Sequence, residues 1–143
     1  MNDIKCIAYG YNQIHHQNVC FLTFPKDSGP GCGMILDNQL IDGNNGIAGE
    51  IAYLPLFDFL KKREFDNSLE KIIQVVATTI VMYNPHLLIL TGENIKEDDL
   101  DAIQKGCLNY VPNHFMPSLK YQENCEDYYF QGLEGQIIQR IQF

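Results

Sequence analysis

Chemistry in this sequence concentrates in two glycine-bearing turns and one helix start. The first turn is Gly29-Pro30-Gly31-Cys32-Gly33, running into the apolar Met34-Ile35-Leu36 and ending at Asp37. Glycines in such a hairpin let the main chain approach a phosphate closely, so that backbone amides can cradle it. The plainer reading is a tight β turn, and the neighbours favour it: Pro25 and Pro30 remove two amide donors, and Asp27 adds negative charge that Lys26 only partly offsets. The second turn, Gly46-Ile47-Ala48-Gly49-Glu50, delivers a carboxylate able to accept two hydroxyl hydrogen bonds. Asn2-Asp3 places another carboxylate where a helix begins, either as a cap or as a group held ready to take a proton. Thr91-Gly92-Glu93 reads as a strand-to-helix turn with Asn94 as a candidate cap. His15 and His16 are sequence neighbours that point apart on a helix, so they suit the negative end of its dipole better than a metal. His86, at the start of an apolar run, reads as structural, and Cys107, Cys125 and the histidines lack zinc-ligand spacing.

The elements that must carry these residues follow from periodicity. Ile4, Ile7, Ala8, Tyr11 and Ile14 recur at helical spacing after the Asn2-Asp3 cap. Residues 18–24 and 33–36 read as strands of an antiparallel hairpin, with Asp37-Asn38 as a turn, and residues 50–54 as a third strand. A long helix over residues 65–83 takes its cap from Asp66 or Asn67, buries Leu69, Ile72, Ile73, Val76, Ile80 and Val81, and stops at Asn84-Pro85. The continuous apolar run 86–90 suits a strand covered on both faces. A helix over 97–108 (Leu100, Ile103, Leu108), a strand over 118–122 and a helix over 128–141 complete the chain. Glu123, Glu126 and Asp127 put acidic charge at the start of that last helix. Pattern alone therefore gives an α/β fold, a five-stranded mixed sheet with helices on its faces.

Bulk properties bound the function. Residues 1–143 form one domain by length, and 45% hydrophobic with 20% charged residues is ordinary for a globular chain. A net charge of -8 argues against a direct nucleic-acid grip. The apolar runs are too short for a membrane span. Five cysteines with no Cys-x-x-Cys pair and no signal peptide indicate buried thiols in a cytoplasmic, reducing setting.

Together the glycine hairpin and the Gly-x-Ala-Gly-Glu turn resemble the C-terminal lobe of ROK proteins, a family named for repressors, open reading frames and sugar kinases. The resemblance implies a ribonuclease-H-like lobe, as in sugar kinases, actin and Hsp70. It matches Asp3 to the family's general base, and Asn2, Asp3, Glu50 and Tyr53 to its sugar contacts, with Tyr53 in place of the family's histidine. Ser28, Gly29, Gly31 and Gly33 fall in the phosphate loop, Thr91 and Gly92 where the nucleotide base packs, and Gly132-Leu133 where the family closes with Gly-Ala. The zinc cluster has no counterpart, so no metal is expected. The Asp-x-Gly-x-Thr loop of the N-terminal lobe has none either, so the chain alone is expected to be non-catalytic and free of cofactor, with ATP and magnesium entering only in a full-length kinase. Three readings follow: a sugar-sensing, dimerising lobe of a ROK-type transcriptional regulator; the lobe of a divergent hexose kinase with Asp3 as base; or a stand-alone interaction domain whose inter-lobe face drives self-association. A small sugar and a second copy of the chain are the expected partners.

Overall fold

The computed structural model describes residues 3–26, 28–58 and 68–141. Helix α1 (Asp3–His15) leads into β1 (Val19–Thr23), β2 (Gly31–Leu36) and the two-residue β3 (Gln39–Leu40). A 3-10 turn (Ile51–Tyr53) lies between β3 and α2 (Leu69–Tyr83), and β4 (Leu87–Thr91) follows. Helix α3 (Leu100–Cys107), β5 (Ser118–Tyr121) and α4 (Glu126–Ile141) complete the order. The sheet has five strands in the order β3-β2-β1-β4-β5. β1 pairs antiparallel with β2 and parallel with β4, and β5 is parallel to β4.

Alternation along the strands sends successive side chains to opposite faces, and each face has its own helices. Cys20 and Leu22 of β1 join Leu88 and Leu90 of β4 beneath α2 and α3, with Ile72, Val76, Ile80 and Ile103. Val19 and Phe21 join Ile35, Leu87 and Ile89 beneath α1, with Ile4, Ala8 and Tyr11. Phe21, Leu22, Leu88 and Leu90 are fully buried, each contributing about 1.5–3 kcal/mol relative to exposure. Because β4 is covered on both faces, it reads in sequence as a continuous apolar run.

Several sequence expectations need correction. Residues 50–54 do not form a strand. Gly43, Gly46 and Gly49, all at positive φ, turn the chain away from the sheet after Leu40, and Ile51–Tyr53 close as a 3-10 turn. The third strand is instead β3, joined to β2 by Asp37 and Asn38, both at positive φ as a two-residue hairpin turn requires. Ser68 caps α2 by accepting the Lys71 amide, while Asp66 and Asn67 lie outside the described residues. Leu69 and Val81 are exposed, and Val75 and Ala77 take the buried positions. Asn84 ends that helix in the left-handed region, ahead of Pro85. On α3, Leu108 is exposed and Cys107 is buried in its place. Four cysteines are buried, Cys125 is half-buried, and all five are unbridged. Among the described residues no helix is long and apolar enough to cross a membrane.

Candidate functional site

Three chain segments converge at the start of α1. The first is the helix start itself, with Asp3 exposed at its tip. The second is the 24–31 loop linking β1 to β2, and the third is the 41–50 loop that follows β3. Between them lies an open cleft of about 490 Å³, lined by Asp3, Ser28, Gly29, Gly31 and Glu50, with Ile4, Thr23, Pro25 and Pro30 completing its walls. Two carboxylates and the glycine hairpin, distant in sequence, thus face one space.

Missing side chains bring the walls this close. A Cβ on Gly33 would collide with the carbonyl of Ile4, so α1 rests directly on β2 at that point. Gly49, at φ +88°, lies under β2: its carbonyl accepts the Cys32 amide at 3.1 Å, and a Cβ there would stand 2.6 Å from the Cys32 carbonyl oxygen. Glu50 follows immediately, its amide bonded to the Ile47 carbonyl at 3.0 Å. Gly33 therefore shapes the helix–strand contact rather than lining the cleft. Cys32 and Cys20 bring their Sγ atoms to 3.6 Å on the far face of the strands, and that contact, followed by burial, pushes the Cys20 thiol well above its ordinary pKa.

The hairpin is anchored at its base to β4. Phe24 donates its amide to the Thr91 carbonyl at 3.0 Å, Asn94 returns its own to the Phe24 carbonyl at 3.0 Å, and the Asn94 side chain donates to the Pro25 carbonyl at 2.8 Å. Gly92, at φ +109°, has the Phe24 backbone 2.7 Å from where a Cβ would be. Thr91 is buried and accepts a hydrogen bond from the Cys125 thiol at 3.7 Å. Thr91 and Gly92 therefore fasten the hairpin and do not line the cleft. Phe24 is committed to Thr91, and Pro25 and Pro30 have no N–H, so three of the eight residues 24–31 offer no amide to an anion.

Tyr53 is 55% exposed on the 3-10 turn and does not line the cleft. Asn2 and Asp27 lie outside the described residues. His15 ends α1 as expected, stacked on Tyr11 and 3.4 Å from the Tyr128 hydroxyl. His86 is exposed ahead of β4, where its carbonyl accepts the Ser118 amide. Among the described residues no three His, Cys, Asp or Glu side chains group as a metal site.

Lys5 escaped the sequence reading. It is only 2% exposed, and its Nζ reaches Asp42 Oδ1 at 2.6 Å and the Gly46 carbonyl at 2.9 Å. The available signal was its position: a cation in the first turn of a helix opposes the helix dipole and needs a compensating partner.

Comparison of the fold with solved structures gives its relatives. A ROK hexokinase from Thermus thermophilus superimposes with a TM-score of 0.70 at 14% identity, over 96% of this chain and 65% of that one. The chain has the ROK fold. A ROK family protein from Streptococcus pneumoniae, solved in complex with sucrose, matches at TM-score 0.65 and 14% identity, over 99% of this chain and 66% of that one. A ROK family transcriptional regulator, a homolog of the E. coli MLC protein, matches at TM-score 0.59 and 15% identity, over 98% and 53%. This ROK-fold chain therefore spans just under two thirds of the first two and about half of the regulator. No protein-family model matches the sequence, and no curated protein matches it.

Proposed function

We propose that this chain is the sugar-binding lobe of a ROK-type transcriptional regulator, non-catalytic by itself, which senses a sugar or sugar phosphate and associates with a second copy. The observation that carries this reading is the shared cleft. Asp3 and Glu50 both line it, and in the adjoining hairpin Pro25 and Pro30 lack an N–H. Two carboxylate residues lining an open cleft suit a ligand rich in hydroxyl groups, and each amide that a hairpin gives up weakens its hold on a triphosphate. Exposed apolar side chains along α4, with Phe130 57%, Ile137 58% and Ile141 77% exposed, support association between copies.

A second reading rests on the same geometry. Asp3 shares the cleft with Ser28, Gly29 and Gly31, so a hydroxyl held by Glu50 would lie between a general base and a phosphate loop. That is the arrangement a hexose kinase needs, once ATP and magnesium are supplied across a second lobe.

Calorimetric titration with hexoses, hexose phosphates and ATP–magnesium separates the two. Sugar binding that is lost in Glu50→Ala, without nucleotide binding, is the expected result. Nucleotide binding would favour the kinase, and silence with every ligand would remove the sugar site from this chain.

A further inference from the structure

We propose that Lys5 is a positioning residue for the carboxylate wall of the cleft, holding the 42–50 loop so that Glu50 shares a space with Asp3; its effect on ligand binding rests on the sugar-binding reading above.

A lysine this buried needs compensation for its lost hydration, and the two partners described for its ammonium lie on one loop. Asp42 Oδ1 accepts at 2.6 Å and the Gly46 carbonyl at 2.9 Å. The loop also closes on itself around that point, with the Ala48 amide donating to the Asp42 carbonyl at 3.3 Å. Gly43 and Gly46 adopt φ of +80° and +84° to complete the curl. Two residues past Ala48 comes Glu50, after Gly49 has been pinned to β2 through the Cys32 amide. The segment bearing Glu50 therefore has two anchors, one on β2 and one on α1. The α1 anchor sits two positions from Asp3, so a single rigid helix end fixes both carboxylates. Asp42 itself is 54% exposed and would survive in water without the lysine, so the contact serves the loop's placement more than the aspartate's needs. A lysine that only filled space would have no reason to grip both limbs of one loop.

The test uses the whole chain, with residue-resolved amide exchange and calorimetry against glucose and glucose 6-phosphate. In Lys5→Met the Ala48 and Glu50 amides should exchange about tenfold faster while β1 and β4 amides stay near wild type. Affinity should fall about tenfold, and Lys5→Met should add nothing in a Glu50→Ala background, because both changes act through one group. Lys5→Arg, which keeps the charge, should recover part of both effects. Should Lys5→Met fail to fold, Asp42→Asn should give a smaller shift in the same amides. Unchanged exchange at Ala48 and Glu50 in a folded variant would overturn the proposal, as would strictly additive losses of affinity with Glu50→Ala. If wild type binds neither sugar, the sugar-binding reading and the affinity effect of Lys5 fall, and the exchange comparison still decides whether Lys5 holds the loop.

Discussion

Gly132 on α4 and Cys6 on α1 meet backbone to backbone: the Cys6 carbonyl oxygen occupies the place of a Gly132 side chain, with its Sγ 2.9 Å from that point. Gly10 repeats the contact one turn along, against the Tyr128 carbonyl. Helix α1 lies on the sheet and α4 lies on α1, and this close approach sets where α1, and with it Asp3, can lie.

Gly132→Ala should therefore destabilise the chain by about 1–3 kcal/mol through overpacking. Gly46→Ala is the comparison, because the nearest atom to its Cβ is Asp42 Oδ1 at 3.9 Å and only its positive φ resists substitution, at about 1–2 kcal/mol. Urea midpoints should rank Gly132→Ala below Gly46→Ala and both below wild type. The reverse ranking would mean that the helices separate easily.

Removing one acceptor at a time tests the cleft. Asp3→Asn and Glu50→Gln should each lower hexose affinity about tenfold, as expected for a lost hydrogen bond to a charged group. Calorimetry on the folded variants measures this, and wild-type affinity in both would take the sugar out of the cleft.

Alkaline pH should weaken the fold. Burial pushes the Cys107 thiol up to about 11 from its ordinary 9.0, and burial raises Cys6 and Cys125 as well. The unfolded chain loses these protons first, so their contribution is complete below pH 9 and is lost as pH climbs toward 11. Urea midpoints should fall across that window, and Cys107→Ala should flatten the slope. A midpoint independent of pH between 9 and 11 would show that these thiols gain solvent in the folded state.

Association between copies is checked by sedimentation at several concentrations. The average mass should rise with concentration for wild type and stay monomeric for Ile137→Glu, which puts a charge among the exposed apolar residues of α4. A monomer at every concentration would leave those side chains without the role given to them.

Legibility in the sequence followed how local each determinant is. Helix α2, β4 and the hairpin of β1 and β2 were readable because propensity, periodicity and stop signals agree within each segment. Helix α1 was harder. Its apolar positions recur at helical spacing, yet Ile14 is 44% exposed while Lys5 and Cys6 are buried. The helix is covered by the sheet on one side and by α4 on another, and a one-face pattern cannot represent that. Residues 50–54 failed for a related reason. Ile51 and Tyr53 favour a strand locally, but three glycines at positive φ had already steered the chain off the sheet. Asp3 and Glu50, singled out by their motifs, line one cleft, whereas Lys5 depends on Asp42, 37 residues away, a pairing that no local pattern encodes.

The 41–50 loop also has a bearing on solubility. β3 pairs only with Ile35 and Leu36, so most of the outer edge of β2 has no strand beside it. The loop takes up that edge instead: Ile41 donates to the Met34 carbonyl at 2.9 Å, and Gly49 accepts from Cys32. The segment that carries Glu50 thus doubles as an edge guard. Any variant that frees it would bare a strand able to pair with a neighbouring molecule, so whatever keeps Glu50 in place also keeps that edge closed to aggregation.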